Sequence, residues 1–118
     1  MSSQSTSISY NPLRSVDSAT FTGAFLPIGT AIPTTVRIFK IVNNSNVLIT
    51  ISTDGSTAMD VLPANSFSLY DLGTNRGNPS ADTALPAGTQ FYASGAAGTG
   101  LVYVVSMYAK TPSQTIPL

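Results

Sequence analysis

Serine is the abundant nucleophilic side chain of this sequence, but the chain lacks the base that a catalytic serine needs. It has no histidine and no cysteine, whereas a nucleophilic serine is normally activated by a neighbouring histidine. A serine–lysine pair would have to use Lys40 or Lys110, and neither stands in Ser-x-x-Lys spacing. The residue types therefore predict a protein that is not an enzyme and has no catalytic residues.

The carboxylates do not have the spacing of a metal site. Asp54 and Asp60 are the two acids of "DGSTAMD", and Asp71 follows later in the chain. Calcium loops instead place oxygen ligands densely, at alternating positions. Asp54 is explained by the Asp-Gly signal of a hairpin turn. We therefore expect no metal ion.

A glycine-rich stretch, "GAAGTG" at 95–100, has a loose likeness to a phosphate-binding loop. Such a loop follows a strand and opens a helix, with Lys-Ser or Lys-Thr in the Walker form. This stretch leads directly into β-branched and aromatic residues, so it predicts a hairpin turn and no cofactor site.

The stretches "LPAN" at 62–65 and "LPAG" at 85–88 resemble each other. The proline presets φ for the second turn position, and Asn65 or Gly88 then accepts a left-handed backbone. Because the flanking residues differ, we interpret the pair as two strand-entry turns rather than an internal repeat.

The surface of the protein is predicted to be nearly uncharged. Charged residues make up 8% of the chain and the formal net charge is zero, against a usual charged share of about 25%. Neutralisation of phosphates drives nucleic-acid binding, so no specific nucleic-acid partner is expected. Low charge also gives little repulsion between copies, which favours a homo-oligomer.

The apolar pattern predicts an all-β fold. Short runs rich in β-branched residues alternate with turn signals, as in an antiparallel β-sandwich of jelly-roll or immunoglobulin-like type with seven to eight strands. We expect the sandwich over 19–109, an extended arm over 1–18 and a second, proline-containing arm over 110–118. The predicted strands are 19–25, 35–42, 46–53, a short one near "AMDVL", 66–71, 89–95 and 101–109.

Alternation also predicts which side chains face inward. In the 46–53 run, Val47, Ile49 and Ile51 are expected inside, with Leu48, Thr50 and Ser52 outside. In the 66–71 run, Phe67 and Leu69 are expected inside. The last run is apolar on both faces, so it is expected to be central or covered by a second subunit.

Nothing in the sequence predicts membrane insertion or export. The polar N-terminus lacks the apolar segment of a secretory signal, and no run approaches the ~20 apolar residues of a membrane helix. We therefore expect the protein to be made and folded in the cytoplasm, with no membrane partner.

Over about residues 9–109 the sequence resembles small all-β virion proteins of tailed bacteriophages. The stretches that carry the resemblance are "KIVNNSN", "STDG", "VLPANSF", "LPAGTQFYA" and "GLVYVVSMYA". The resemblance implies a structural role in a virion assembled in the host cytoplasm, without catalytic residues. Expected partners are the major capsid protein and portal, neck or tail proteins. The position remains open between capsid decoration or cement, neck and tail.

Several residues that we expect at the surface are candidates for contact with a partner. Arg37 and Lys40 are either edge charges that discourage wrong pairing or salt-bridge partners of a neighbouring subunit. Arg76 is either an outward contact in the 72–84 loop or a solvated loop charge. The full set of candidates is Tyr10, Arg14, Arg37, Lys40, Arg76, Asn78, Tyr92, Lys110 and Ile116.

A second function stays open beside the structural role. The protein would then be a receptor- or carbohydrate-binding module displayed on the virion. Its binding site would combine tyrosines, Tyr92 among them, with the 72–84 loop, because aromatic rings and exposed loops form such platforms.

Overall fold

The structure is a computed structural model that describes residues 7–72 and 84–110, without the side chains of Ser7 and Lys110. Within these ranges it is all-β, and its one helical element is a 3₁₀ turn at Ser18–Thr20. No helix in the described part of the chain is long and apolar enough to cross a bilayer. The strands are β1 (Ser7–Tyr10), β2 (Arg14–Asp17), β3 (Leu26–Pro27), β4 (Ile38–Ser45), β5 (Ile49–Ser52), β6 (Asp60–Leu62), β7 (Ser66–Asp71), β8 (Tyr92–Gly95) and β9 (Gly100–Lys110).

The strands form two antiparallel sheets, which confirms the predicted sandwich. In the five-stranded sheet β1 and β2 both pair with β9, which is followed by β4 and then β7. The four-stranded sheet has the order β3-β8-β5-β6. The prediction that the last strand is central is also confirmed, because β9 has partners on both sides.

Residues 7–17 of the predicted N-terminal arm lie in the five-stranded sheet. β1 and β2 follow one another along the same edge of β9, but their registers differ by one residue. Pro12 and Leu13 together oppose Val105, which is a β-bulge. Because proline has no N–H to give to the ladder, a bulge is one of the few places where a strand accepts it.

The segment 19–25 was predicted as a strand, and the structure shows a different local fold. The Asp17 carboxylate accepts a hydrogen bond from the Ala19 N–H at 2.9 Å, which caps the 3₁₀ turn. Gly23 has a φ of 93°, a backbone conformation that interrupts strand geometry. The prediction was wrong because these two local features outweigh the apolar alternation of Phe21 and Phe25.

The core lies between the two sheets. Ile49 and Ile51 are fully buried in it, as predicted. Ser52, which was predicted to face outward, is also buried, because its hydroxyl accepts hydrogen bonds from the N–H groups of Asp54 and Gly55. The core side chains are Phe21, Ile28, Ile32, Val36, Phe39, Ile41, Ile49, Ile51, Leu62, Phe91, Ala93, Val102 and Val104.

Both Leu-Pro-Ala segments are turns with a left-handed residue at the predicted position. Asn65 has a φ of 55° and Gly88 a φ of 92°. The residue after each one donates its hydroxyl to the proline carbonyl, Ser66 to Pro63 at 2.6 Å and Thr89 to Pro86 at 2.7 Å. The chain therefore uses the same local hydrogen-bond pattern twice.

A buried amide joins the two sheets. The Nδ2 group of Asn43 on β4 donates to the carbonyl oxygens of Val47, Leu62 and Pro63 at 2.8, 3.2 and 2.9 Å. Its Oδ1 accepts from the N–H and the hydroxyl of Ser45. One buried side chain of the five-stranded sheet thus bonds to backbone carbonyl groups on β6 and in the segments beside the four-stranded sheet.

We predict that Asn43→Ala lowers the free energy of unfolding by about 3 kcal/mol, because it removes a fully buried side chain together with its hydrogen bonds to three carbonyl groups and to Ser45. Urea unfolding followed by circular dichroism measures this change. Asn44→Ala is the matched control, since Asn44 is the exposed neighbour on the same strand, and its expected effect is about 0.5 kcal/mol or less. Equal effects of the two substitutions would contradict the assigned role.

Candidate functional site

The side of the five-stranded sheet that faces away from the core carries many apolar side chains. Residues directly opposite each other in antiparallel strands share a face, so the register defines this surface. We call it the outer face, and its members on β1, β4, β7 and β9 are Ile8, Tyr10, Ile38, Lys40, Val42, Asn44, Phe67, Leu69, Asp71, Leu101, Tyr103, Val105, Met107 and Ala109.

Large apolar groups on the outer face are open to solvent. The exposed fraction is 66% for Tyr10, 65% for Phe67 and 60% for Leu69. Scattered exposed apolar residues are normal, whereas a contiguous patch marks an interaction site. The outer face is therefore the candidate functional site.

The prediction that Phe67 and Leu69 face inward was wrong. The inner side of β7 carries Ser66, Ser68 and Tyr70 instead. Tyr70 fills the core edge by stacking on Phe39, with 4.6 Å between ring centroids. The register that turns Phe67 and Leu69 outward is fixed at both ends of β7, by Asn65 N–H donating to the Ser45 carbonyl and Leu72 N–H donating to the Arg37 carbonyl.

The signal that sequence reasoning missed is in the same six letters, "SFSLYD". Apolarity alone favours burial of Phe67 and Leu69. The tyrosine is the other large residue of the strand, and it occupies the alternate set of positions. With a tyrosine on one side of the strand and a phenylalanine on the other, the pattern does not decide which side faces the core. The packing of Tyr70 against the rest of the fold decides it.

Lys40 gives the outer face its positive charge. Its Nζ lies 5.8 Å from the centroid of the Phe67 ring, within the range of a cation–π interaction. The cation is therefore directed from β4 towards β7, the last strand of the sheet on that side.

An open groove of about 490 Å³ lies at one end of the outer face. Arg37 lines it, so this partner-contact candidate is at the surface, where it already has an interaction with other residues of the chain. The other lining residues are Ile8, Thr35, Ile38, Asp71, Met107 and Ala109.

Arg14, another contact candidate, is used inside the chain. It is buried, and its guanidinium donates to the carbonyl oxygens of Pro12, Thr30 and Ala31 at 2.5, 3.0 and 2.8 Å. These bonds hold residues 30–31 against the bulged strand, just before Ile32 pairs with Thr89 in an isolated β-bridge. The Arg14 guanidinium therefore has a structural role within the chain, and a contact of Arg14 with a partner stays a prediction.

The remaining candidates are one residue on the four-stranded sheet and four whose side chains lie outside the described part of the chain. Tyr92 lies half-buried on the four-stranded sheet, and its ring packs against Gly55, where a Cβ atom would meet it at 3.4 Å. Lys110 is the last residue of β9, and its side chain lies outside the described part. Arg76, Asn78 and Ile116 also lie outside the described residues, as does most of the 72–84 loop.

Asp54 has a structural explanation in the hairpin turn that the sequence predicted. The backbone N–H groups of Thr57 and Ser56 donate to its carboxylate at 2.7 and 2.8 Å, and they hold the pKa of Asp54 well below its usual range. Within residues 7–72 and 84–110, no group of three or more potential metal ligands occurs.

Comparison with known proteins adds one distant structural likeness. No protein-family model matches the chain, and no curated protein matches it. Among solved structures, the chain is similar to the SPP1 Dit protein (gp 19.1), described as a paradigm of the hub adsorption apparatus in phages that infect Gram-positive hosts. The identity is 14% over 86% of this chain and 49% of that chain, and the TM-score is 0.39. The chain thus spans about half the length of that protein.

Tyr70 lies on the core side of β7, the strand at the edge of the outer face. Its hydroxyl donates to the Asp60 carboxylate on β6, which ties the two sheets together at this edge. Burial and, after it, the Asp60 carboxylate raise the pKa of Tyr70 well above its ordinary value of 10.0.

We predict that alkaline pH weakens the fold through Tyr70. In the unfolded chain the phenol loses its proton near pH 10, while the folded protein still holds it. The unfolded state then binds fewer protons, so the free energy of unfolding falls as the pH rises above about 10 and is unaffected by this group at lower pH. Urea unfolding at pH 8 to 11 should show a shallower decline for Tyr70→Phe than for the wild type; parallel declines would contradict the assignment.

Proposed function

We propose that this chain is a non-enzymatic structural subunit of a tailed-phage virion. In this proposal it associates with copies of itself and binds neighbouring virion proteins, such as the major capsid protein or portal, neck and tail proteins. The outer face of the five-stranded sheet is the binding surface, and the chain acts in the virion after assembly in the host cytoplasm.

The observation that carries the proposal is the exposed apolar patch on the outer face. With about 4.8 Å between strands and about 3.4 Å per residue, four strands and the length of β7 span roughly 400 Å² of projected surface. This falls in the range of ~300–600 Å² for the largest patch of a monomer, which is often functional. It is also roughly half of the ~800 Å² that each partner contributes to a standard interface.

The chemistry of the patch favours a protein partner. Phe67 and Leu69 on β7 and Tyr103 and Val105 on β9 form its apolar part, with Lys40 of β4 between Leu69 and Val105 and with Asp71 at one end. Aromatic residues and few charges are typical of protein interfaces. A phosphate backbone would instead need several exposed cations on one face.

The virion setting is supported by the sequence resemblance. The stretches "KIVNNSN" and "GLVYVVSMYA" belong to the two central strands, β4 and β9. The part of the sequence that resembles phage virion proteins thus includes the strands that build the outer face. The alternative, a carbohydrate-binding module, gains no support from Tyr92, because its ring packs against the Gly55 turn.

We expect the double substitution Phe67→Ser and Leu69→Ser to abolish incorporation into particles, because it removes the two largest apolar groups at the edge of the outer face. Co-sedimentation of a tagged protein with particles from an infected host measures incorporation. The substitutions lie at exposed positions, so unfolding by urea should be close to that of the wild type.

The matched control is Met59→Ser with Val61→Ser. These side chains are 42% and 49% exposed beside and on β6, in the other sheet. The control should be incorporated like the wild type. Incorporation of the Phe67 and Leu69 double variant at the wild-type level would overturn the proposed binding surface.

A further inference from the structure

β7 has an open side in the described part of the structure. Its neighbour on one side is β4, and no other described strand pairs with it. Leu72 N–H donates to the Arg37 carbonyl, which belongs to the same β4–β7 register. In an antiparallel ladder every second residue bonds to the neighbour, so the backbone groups of Phe67, Leu69 and Asp71 point away from β4.

Among the described residues, nothing gives this edge the usual sequence protection against pairing with another chain. Edge strands are normally guarded by lysine, proline, a bulge or very short length. β7 is six residues long and pairs with β4 at each of them. It contains no lysine and no proline, and its one charged residue is Asp71 at the end. The residues that point their backbone outward also carry the exposed apolar side chains.

We propose that β7 pairs antiparallel with β7 of a second copy of this chain, about a two-fold axis at Leu69. The two five-stranded sheets then continue into one. The inference specifies how the self-association in the proposed function takes place and therefore rests on it. A symmetric contact of this kind presents the same patch on both copies.

The axis position follows from which backbone groups point away from β4. Centred on Leu69, the pairing matches Leu69 with Leu69, and Phe67 with Asp71 of the partner, so the residues whose backbone groups point outward stand opposite one another. Centred one residue earlier, it would need Asn65. That residue has a φ of 55°, and its N–H already donates to Ser45.

Charge complementarity favours the same arrangement. The Lys40 ammonium lies over the Phe67 ring, and Phe67 stands opposite the partner's Asp71 in the proposed register, with ~5 Å between Cβ atoms. The symmetry repeats this Lys40–Asp71 proximity on both sides of the Leu69 pair. Asp71 already has an interaction within its own chain, but a carboxylate has about four acceptor sites.

Cysteine cross-linking tests the pairing directly, because the natural chain has no cysteine. Directly opposite, hydrogen-bonded residues have Cα atoms about 5.5 Å apart, which suits a disulfide. Leu69→Cys is therefore expected to form a covalent dimer under mild oxidation at least about tenfold faster than Val61→Cys, the control on β6, where the side chain is 49% exposed against 60% for Leu69. Equal rates for the two variants would overturn the inference.

The register has its own test. Phe67→Cys and Asp71→Cys proteins are mixed and oxidised, and mass spectrometry identifies the products. A mixed 67–71 disulfide should exceed both symmetric products, because only this pair is directly opposed. If 67–67 or 67–69 products from the corresponding mixtures dominate, the Leu69 axis is wrong.

Sedimentation measurements separate this inference from the proposed function. Leu69→Lys puts two like charges on the axis and should weaken self-association about tenfold, while Val61→Lys leaves it unchanged. A wild-type protein that associates but resists cross-linking at Leu69 overturns the β7 pairing and leaves the proposed function standing. A wild-type chain that stays monomeric at high concentration and is still incorporated into particles overturns the pairing together with the proposed self-association, and leaves the role in the virion standing.

Discussion

The ladder between β4 and β9 is the constraint on which the rest of the structure depends. Eight residue pairs join the two strands, from Ile38–Met107 to Ser45–Gly100. Since side chains alternate along each strand, this register places Phe39 and Val104 in the core and commits Lys40 and Val105 to the outer face. A shift of one strand by one residue would move its side chains to the opposite face of the sheet.

The β4–β9 ladder also determines which side chains of β1, β2 and β7 face the core, because these strands pair with β9 or β4. β1 and β2 pair with the edge of β9 that lies away from β4. The bulge at Pro12 and Leu13 lets the Arg14 side chain turn inward, where it donates to the carbonyl groups of residues 30 and 31. β7 pairs with the edge of β4 that lies away from β9. Asn43, at the end of the same ladder, connects it to the other sheet through carbonyl groups of Val47 and Leu62.

The sandwich class, the turns and the central position of β9 were predictable because they depend on local features. Strand periodicity and left-handed positions such as Asn65 can be read within a few residues. The direction of Phe67 and Leu69 was not, because it depends on how Tyr70 packs against Phe39, which lies 31 positions away. The burial of Arg14 likewise depends on carbonyl groups from a separate segment of the chain.

The candidate site was therefore predicted only in part. Lys40 and Tyr10 were named as contact candidates, and both lie on the outer face. The residues that make this surface apolar, Phe67 and Leu69, were assigned to the core. A phenylalanine or leucine is the same residue type whether it lies at the surface or in the core, so only the geometry of the sheet shows which of the two applies.

Neither the outer face nor the open edge of β7 is large enough by itself for a standard interface. The face alone spans roughly half the area that a standard interface needs from each partner, and the edge alone offers a single strand. Pairing at β7 would place the outer faces of two copies side by side, giving one surface of roughly 800 Å². Self-association would then assemble the area that a further virion protein needs for stable docking. In this arrangement Leu69 contributes both to the contact between copies and to the surface that the pair presents.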